Sequence, residues 1–336
     1  MHPSIEQYLE VLHTKRRAPA TLKVVRQDLT HLVAWWEGTR RRTFDPALLR
    51  HEDLRDWRTV RQRDDGAAPA TINRGLASLR GYCHWALAGH LLVENPMTDV
   101  KDVPTEPLAP RSLPPQAIDA LVRAASVEPN AILRARDEAM LALLIYAGLR
   151  VQEVCDIQLR DLDLGSGTVT IRSGKAGKAR RVPLHADAQR LLRRYLDVVR
   201  CPAGLPSIGS DQEREKLLVG INVTSKGQPA IPGITQRVAQ RAVQQLGKQA
   251  ALQLRAEAQR ERNIQRSEEL QNLARQLEKA TPHMLRHSLA RRMLERGAQL
   301  PEVQRTLGHS RLSTTGVYLT PSEEEVRAAL GRAGIY

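Results

Sequence analysis

The segment TPHMLRHSL, residues 281–289, concentrates side chains that can do chemistry. Arg286 and His287 follow His283 by three and four residues, so a helix here would place all three on one face. Two imidazoles and a guanidinium on one face have three possible uses. They can bind a metal ion, they can bind a phosphate group, or they can pack without a chemical role.

Metal binding is the least favoured of these uses. His283 and His287 have the spacing of a zinc-binding helix, but that motif needs a glutamate beside the first histidine, and this position is Met284. A third ligand would have to be His309, which has no acidic partner in the sequence. A metal cation would also be repelled by Arg286. We therefore expect no metal and no cofactor, which leaves phosphate binding and packing.

The charge balance favours a polyanionic partner. Among 336 residues, 51 are Lys or Arg and 37 are Asp or Glu, which gives a formal net charge of +14. A chain this basic is typical of nucleic-acid-binding proteins. The alternative is a basic soluble protein without such a partner.

The cysteine content and the apolar runs bear on the compartment. Cys83, Cys155 and Cys201 are far apart and odd in number, so they predict no disulfide framework and fit a reducing cytoplasm. No apolar run approaches the ~18–20 residues of a membrane span. The N-terminal segment is amphipathic and lacks a signal-peptide core. These features predict a cytoplasmic protein, associated with the nucleoid when it binds DNA.

The first part of the chain, residues 1–102, is predicted to form four helices. Apolar residues recur at helical spacing, and Thr21 is predicted to cap the second helix. A proline-rich stretch, residues 103–115, follows and predicts an extended linker, because proline is excluded from helix interiors and central strands.

The second domain, residues 116–336, is predicted to be mainly helical with one β-hairpin. In GTVTIRSGKAGKARRVPL, Val169 and Ile171 alternate with polar residues before a glycine-rich turn. Residues 234–280 favour helix strongly. We expect a helical extension there that contacts DNA or a partner subunit, and a solvated spacer is the alternative. A tail helix is predicted over residues 321–332. The fold class is therefore mainly α with a small β-hairpin or sheet (α+β).

Further residues form an ordered set with the first motif. In chain order the set is Arg150, Lys175 at the hairpin tip, His283 and Arg286 as HxxR, His309 in LGH, and Tyr318 nine residues later. At these spacings the chain resembles the tyrosine recombinase (integrase) family of site-specific DNA recombinases, over about residues 115–330. The first domain looks like the core-binding domain of that family. We expect no further domain ahead of it, and on this basis the chain resembles the simpler Xer-like or mobile-element-encoded members.

The resemblance implies a role for each residue in cutting DNA. Tyr318 would be the nucleophile, since a phosphotyrosyl ester stores the energy of the phosphodiester for religation. Arg150 and Arg286 would bind the nonbridging oxygens of the phosphate, and His309 would donate a further hydrogen bond. Lys175 would be the general acid for the leaving 5′ oxygen, and His283 an acid or base near the nucleophile.

Neighbouring residues are expected to support this set. Glu153 would orient Arg150 or a nearby backbone group, and His287 is expected to be structural. Arg150 is predicted to lie at the end of an apolar helix, and the alternative to a catalytic role is a cation favoured there by the helix dipole.

Both domains are expected to close around duplex DNA as a C-shaped clamp. The partner would be DNA with inverted-repeat core sites, bound by a homotetramer whose C-terminal helix docks on a neighbouring protomer or packs on its own domain. On first-domain helices, Lys23, Arg26, Arg74 and Arg80 could enter the grooves, although a solvated basic face is the alternative.

The predicted function is recombination through a 3′-phosphotyrosyl intermediate and a Holliday junction. It would serve integration, excision or cointegrate resolution of a mobile element, or chromosome dimer resolution. Two alternatives remain open. One is a type IB topoisomerase-like enzyme, and the other is a DNA-binding accessory protein without catalysis.

Overall fold

The chain divides into two units, Met1–Pro107 and Leu108–Tyr336. The structure, a computed structural model, describes residues 2–105, 112–172, 179–220, 222–223, 229–230 and 233–308. Lys175, His309, Tyr318 and the predicted tail helix 321–332 lie outside the described residues.

The first unit is helical and has a core rich in aromatic side chains. Its helices within residues 2–105 are α1 (Pro3–Thr14), α2 (Pro19–Arg40), α3 (His51–Arg63) and α4 (Pro69–Ala88). Trp36, Trp57 and Tyr82 are buried between them. Trp36 Nε1 donates to Asp53 Oδ2 at 3.2 Å, so the polar edge of this indole keeps a partner in the core.

The prediction that Thr21 caps α2 was wrong. The helix begins at Pro19, Ala18 is the N-cap residue, and no side chain makes a capping hydrogen bond. Helix α4 begins in the same way, with Pro69 after Ala68. Proline is favoured at the first helical position because its φ is already helical and it has no N–H to satisfy. Helix α2 therefore begins at Pro19, two residues before Thr21.

The second unit is built around a helix that is buried over most of its length. The helices between residues 112 and 308 are α5 (Pro115–Ser126), α6 (Ala131–Ile145), α7 (Val151–Asp156), α8 (Ala186–Tyr195), α9 (Gln236–Arg260), α10 (Ile264–Leu277), α11 (Pro282–Glu295) and α12 (Leu300–Leu307). Every residue of α6 from Ala135 onward is buried. Helices α5, α8 and α11 pack against it, so α6 forms the centre of the unit.

Short antiparallel strands accompany the helices. They are β1 (Leu162–Asp163), β2 (Thr168–Ile171) and β3 (Arg180–Pro183) in one sheet, and β4 (Asn222–Val223) and β5 (Pro229–Ala230) in another. In the first sheet, Val169 pairs with Val182 and Ile171 pairs with Arg180. The predicted hairpin is confirmed, since β2 and β3 are its two arms and Val169 and Ile171 face the core. With helices dominating, the predicted fold class is confirmed as well.

Helices α9 and α10 form an antiparallel pair within the core. Most of the apolar side chains of both helices belong to the main hydrophobic cluster of the unit, and both helices pack on α5. A Cβ at Gly247 of α9 would collide with the backbone carbonyl of Leu277, so the two helices approach closely. The segment is helical, and it is a structural part of the domain and not a solvated spacer.

The predicted linker is anchored at both ends. Val103 is buried in the core of the first unit, and Leu113 is buried in the core of the second. The N–H of Leu113 donates to Ser288 Oγ of α11 at 2.8 Å.

In the part of the chain that the structure describes, every helix is too short or too polar to cross a membrane.

Candidate active site

Arg286 is held in the core of the site by backbone carbonyls. Thr281 caps α11 by accepting a hydrogen bond from the N–H of Met284 at 3.3 Å, and Arg286 follows one turn later. Its side chain is only 2% exposed. Nη1 donates to the carbonyl of Gly148, and Nη2 donates to the carbonyl of Leu307. A guanidinium is a planar fork of donors, so two carbonyls from different segments fix its plane.

Arg150 lies at the start of a helix and not at the end of one. Helix α6 ends at Ile145, and Arg150 occupies the N-cap position of α7. The expectation of a cation at a helix C-terminus is therefore wrong, because a glycine at φ +61°, Gly148, turns the chain between α6 and α7. Such a conformation is one that glycine adopts readily.

Glu153 connects Arg150 to the rest of the site. The Glu153 carboxylate accepts from the backbone N of Arg150 at 2.9 Å and from Arg150 Nη1 at 3.0 Å. Arg286 Nη1 lies 3.9 Å from Glu153 Oε2. The expectation that Glu153 orients Arg150 or a nearby backbone group is thus confirmed by both contacts.

Arg180 on β3 is a further partner of Glu153 that the sequence did not indicate. Arg180 Nη1 and Nη2 donate to the two Glu153 oxygens at 2.9 and 2.8 Å. Successive side chains of a strand point to opposite faces, so Arg180 shares a face with the buried Val182 two residues later. Arg180 also pairs with the buried Ile171 of β2. This alternation is the sequence signal that could have identified Arg180. Arg180 therefore lies on the inner face of the hairpin.

The charge of Glu153 is set by these arginines. Burial alone would raise the pKa of this carboxyl. The hydrogen bonds from Arg180 and from the Arg150 backbone N–H, with the charges of both guanidiniums, outweigh burial and bring the pKa below its ordinary value of 4.5. The group is consequently ionised at neutral pH.

His283 and His287 lie edge to face. Their ring centroids are 4.6 Å apart and the rings are 89° to each other. Burial, followed by the charges of Arg286 and Arg150, lowers the pKa of His283. Burial, followed by His283 and Arg286, lowers the pKa of His287 to about 4. Both imidazoles are therefore neutral at pH 7, and His283 has the protonation state of a base.

A cleft of about 700 Å³ opens beside these residues. Its floor includes Arg150, His283 and Arg286, and one wall is the first part of α9. The wall residues are Arg237, Gln240, Arg241 and Gln244, at helical spacing and exposed. The sequence alone does not distinguish these four residues, because segment 234–280 is rich in Gln and Arg throughout. Within the described residues, no group of three or more His, Cys, Asp or Glu side chains is placed to hold a metal ion.

Three of the predicted catalytic residues are thus brought together, and three lie outside the described residues. Arg150, His283 and Arg286 line one cleft. Lys175 lies in the sequence between Ile171 and Arg180, the pair that ends the described ladder of β2 and β3. His309 directly follows Gly308, whose carbonyl is 3.5 Å from Arg150 Nη2.

The predicted DNA-contact residues of the first unit are placed on its helices, and several carry ion pairs. Lys23 is exposed on α2. Arg26 donates to both carboxylate oxygens of Glu6 at 2.6 and 2.9 Å. Arg74 Nη2 lies 2.9 Å from Asp28 Oδ1.

Arg80 makes two contacts with the segment after α4. Its Nη2 donates to Asp102 Oδ1 at 2.7 Å and to the Val100 carbonyl at 2.9 Å. Like Arg26 and Arg74, it therefore has a carboxylate partner inside its own unit.

Family comparisons agree with the geometry. Residues 111–325 match the model of the phage integrase family, and residues 5–90 match the phage integrase N-terminal SAM-like domain. The tyrosine recombinase XerC of Xanthomonas campestris pv. campestris (strain B100) is 33% identical over 319 residues, which cover 94% of this chain and 83% of XerC. The tyrosine recombinase XerD of Ralstonia nicotianae is 30% identical over 307 residues, covering 91% and 85%.

Solved structures share the fold. The integrase of transposon Tn1549 in complex with transposon right end DNA has a TM-score of 0.64 at 17% identity, and the match covers 98% of both chains. The XerH site-specific recombinase bound to its difH substrate has a TM-score of 0.62 at 21% identity, with 94% of this chain and 79% of XerH covered. Together with the family matches, these similarities show that the chain belongs to the phage integrase family of site-specific tyrosine recombinases.

Proposed function

We propose that this chain recombines duplex DNA through attack of Tyr318 on a phosphate held by Arg150 and Arg286. The observation that carries the proposal is the convergence of these two arginines with His283 in one cleft. Attack forms the bond between the Tyr318 oxygen and phosphorus and breaks the bond from phosphorus to the 5′ oxygen. The resulting 5′-hydroxyl attacks the phosphotyrosine of a partner duplex, which restores a phosphodiester.

The arginines supply the electrostatic part of this reaction. Negative charge grows on the nonbridging oxygens in the transition state, and preorganised cations stabilise it without reorganisation. Arg286 is fixed by two carbonyls and Arg150 by a buried carboxylate. Charge compensation is thereby assigned to protein side chains, and no step of the proposal uses a cofactor. His309 would donate one more hydrogen bond.

Proton transfer is assigned to Lys175 and His283. Lys175 would protonate the leaving 5′ oxygen. His283, whose lowered pKa keeps it neutral at pH 7, would accept the proton of the Tyr318 phenol. A phenol has an ordinary pKa of about 10, so a neutral base is needed at neutral pH.

The DNA would run through the cleft and along the first part of α9. Arg and Gln side chains are among the residues that contact phosphates and base edges, and Arg237, Gln240, Arg241 and Gln244 present them on one stripe. In the first domain, Lys23 is the simplest candidate contact. Arg26, Arg74 and Arg80 would each have to leave or share a carboxylate partner.

The same proposal extends to the assembly of the protein, its place in the cell and its biological role. Strand exchange between two duplexes through a Holliday junction needs four protomers on two inverted-repeat sites, and the tail helix 321–332 would dock on a neighbouring protomer. The chain would act in the cytoplasm, on the nucleoid. Its role would be integration, excision or resolution of a mobile element, or resolution of chromosome dimers.

Covalent trapping tests the proposal. A preferred duplex is first selected from a random library by binding to the Tyr318→Phe variant. A nicked version of this duplex then loses its short 5′-hydroxyl fragment on cleavage, so a DNA–protein adduct accumulates. We expect an adduct with the wild type and none with Tyr318→Phe. Binding without an adduct would overturn the proposal. Relaxation of a two-site plasmid without any exchange would instead support the topoisomerase alternative.

A further inference from the structure

The carboxylate of Glu153 is surrounded by more positive charge than it can neutralise. Among the described residues, three guanidiniums lie within 4.0 Å of it, those of Arg150, Arg180 and Arg286. Three positive charges against one negative charge leave the cluster with a net charge of two positive units. Charges in such a poorly solvated place interact strongly, because little water screens them. The charge that the cluster offers to a phosphate therefore depends on each member.

Arg180 is the principal counter-ion of Glu153. Its Nη1 and Nη2 donate to the two Glu153 oxygens at 2.9 and 2.8 Å, which is the bidentate geometry of strong arginine–carboxylate pairs. The side chain of Arg150 makes one contact with this carboxylate, from Nη1 to Oε1 at 3.0 Å. Burial raises the pKa of Glu153, and Arg180 contributes the largest opposing effect, ahead of Arg150. Arg180 therefore carries most of the charge compensation of Glu153.

Arg150 and Arg180 have different surroundings. Arg150 lines the cleft, and its side chain is 32% exposed. Arg180 is 17% exposed, and it is absent from the described residues that line the cleft. A Cβ at Gly308 would lie 2.6 Å from Arg180 Nε, so the guanidinium is packed closely against the end of α12. Arg180 is thus placed to influence the cleft through Glu153 and not by touching its contents.

We propose that Arg180 is a positioning residue for Arg150. By neutralising Glu153, it allows the carboxylate to hold Arg150 while the positive charge of Arg150 remains available to the phosphate. Without Arg180, the charge of Glu153 would fall mainly on Arg150, draw that guanidinium toward the carboxylate and weaken its contact with the phosphate. This role rests on the proposed function, in which Arg150 and Arg286 bind the nonbridging oxygens. Arg180 itself touches no reacting atom.

A substrate with less negative charge separates this role from a general structural one. In a methylphosphonate, a methyl group replaces one nonbridging oxygen of the scissile phosphate, so the group carries one negative charge fewer before and during attack. Fewer cations are then needed to stabilise the transition state. A variant that has lost positive charge at the phosphate should recover on this substrate. A variant whose site is generally disordered should be slow on both substrates.

The experiment measures single-turnover release of the short 5′-hydroxyl fragment from the selected nicked duplex, with a phosphate or a methylphosphonate at the scissile position. We expect Arg180→Gln to cleave the phosphate about 10-fold more slowly than the wild type, a smaller loss than the removal of a preorganised donor itself causes. On the methylphosphonate it should be close to the wild type. Arg180→Lys keeps the charge without the planar fork and should show a smaller loss with the same recovery. It also serves if Arg180→Gln fails to fold.

Removing the charge of the carboxylate gives a second readout. Glu153→Gln keeps an oxygen that can accept hydrogen bonds from Arg150, but it carries no negative charge. Since Arg180 is proposed to act by neutralising Glu153, its loss should matter little once that charge is gone. The double variant Glu153→Gln/Arg180→Gln should therefore cleave the phosphate as fast as Glu153→Gln and several-fold faster than Arg180→Gln.

Matched controls define the expected patterns. Arg150→Ala should be slow on the phosphate and recover on the methylphosphonate, as is expected of Arg180→Gln. Arg181→Gln changes the next residue of the same strand, whose exposed side chain contacts Thr168, and should cleave both substrates at the wild-type rate. The affinity for the selected duplex, measured by fluorescence anisotropy, should be the same for Arg180→Gln and Arg181→Gln.

Three results would overturn the role of Arg180. They are equal slowing of Arg180→Gln on the two substrates, no slowing on the phosphate, and a double variant no faster than Arg180→Gln. If Arg150→Ala cleaves the phosphate at the wild-type rate, Arg150 is not part of the reaction and the role of Arg180 falls with it. If the wild type forms no covalent adduct with the phosphate substrate, the proposed function itself fails.

Discussion

Arg74 in the first unit and Arg286 in the second are both arginines on helices, yet they are held in different ways. Arg74 is half exposed and pairs with the carboxylate of Asp28. Arg286 is buried and donates to two backbone carbonyls. A carboxylate cancels the charge of a guanidinium, whereas a carbonyl orients it and leaves its net charge in place.

The same difference extends to the neighbours of each residue. In the first unit, Arg26 and Arg80 also have carboxylate partners. In the cleft, Glu153 is shared among Arg150, Arg180 and Arg286. Among the described residues, no carboxylate lies within 4.0 Å of Arg237 or Arg241. Arg237 and Arg241 therefore add uncompensated positive charge beside the cleft, whereas Arg26, Arg74 and Arg80 of the first unit are each locally compensated.

Replacing Arg286 should have the largest effect. We expect Arg286→Ala to reduce the rate of single-turnover cleavage by about 10³-fold, the upper range for loss of one preorganised donor. The variant should also be less stable, since the carbonyls of Gly148 and Leu307 lose a buried donor, at about 1–3 kcal/mol for each unsatisfied group. Arg291→Ala, on the same helix and paired with Glu295, is the control. Wild-type cleavage by Arg286→Ala would remove Arg286 from the proposed site.

Replacing Glu153 tests whether the shared carboxylate holds the site together. Glu153→Gln should lower the free energy of unfolding by about 3 kcal/mol at pH 7, since removing one partner leaves buried charge uncompensated. The control is Asp156→Asn on the same helix, whose ion pair with Lys216 is half exposed and should cost less than about 1 kcal/mol. Urea denaturation measures both. An unchanged midpoint for Glu153→Gln would contradict the shared-carboxylate interpretation.

The Glu153 variant should also change the dependence of stability on pH. Because the pKa of Glu153 in the folded chain is below its ordinary value of 4.5, the stabilisation by its charge is present above that value. It is lost as the pH falls through the folded-state pKa. We expect the wild type to lose stability more steeply than Glu153→Gln below pH 4.5. Parallel curves for the two proteins would show that other groups account for the acid sensitivity.

Arg237 and Arg241 should affect DNA binding without affecting stability. Each change to Gln should reduce the slope of log K against log salt by about one, because one phosphate contact is lost. The free energy of unfolding should change by less than about 0.5 kcal/mol. Arg255→Gln, on the same helix and paired with Glu278, should leave the slope unchanged. Fluorescence anisotropy on the selected duplex provides the measurement, and unchanged slopes for Arg237→Gln and Arg241→Gln would exclude α9 from the interface.

Arg74 should show the opposite pattern and the smallest effect. Arg74→Gln removes one of the partners of the buried Asp28, which keeps the hydrogen bond from Ser78. We expect a loss of stability of about 1 kcal/mol or less and no change in the salt slope. Lys23→Gln is the contrasting variant, expected to reduce the slope by about one. A reduced slope for Arg74→Gln would mean that its ion pair opens to bind DNA.

Much of the site could be predicted, and the physical reasons for the misses are specific. Arg150, His283 and Arg286 were assigned from residue type, order and spacing, and they meet in one cleft. Arg180 was missed because two adjacent arginines look alike until the strand register decides which one faces inward. The stripe on α9 was missed because the apolar positions of that helix are mostly alanine, which hides the buried face. Thr21 was misjudged because proline competes for the start of a helix.

The packing of α9 against α10 has a practical consequence for protein engineering. A deletion within the α9–α10 helix pair would remove part of the hydrophobic cluster and the close contact at Gly247. A chain truncated in this way would not fold. The connection between the helices, residues 261–263, is exposed on all its residues. It is therefore a permissive place to insert a small peptide tag. A dye attached there would label the chain without altering the residues that line the cleft.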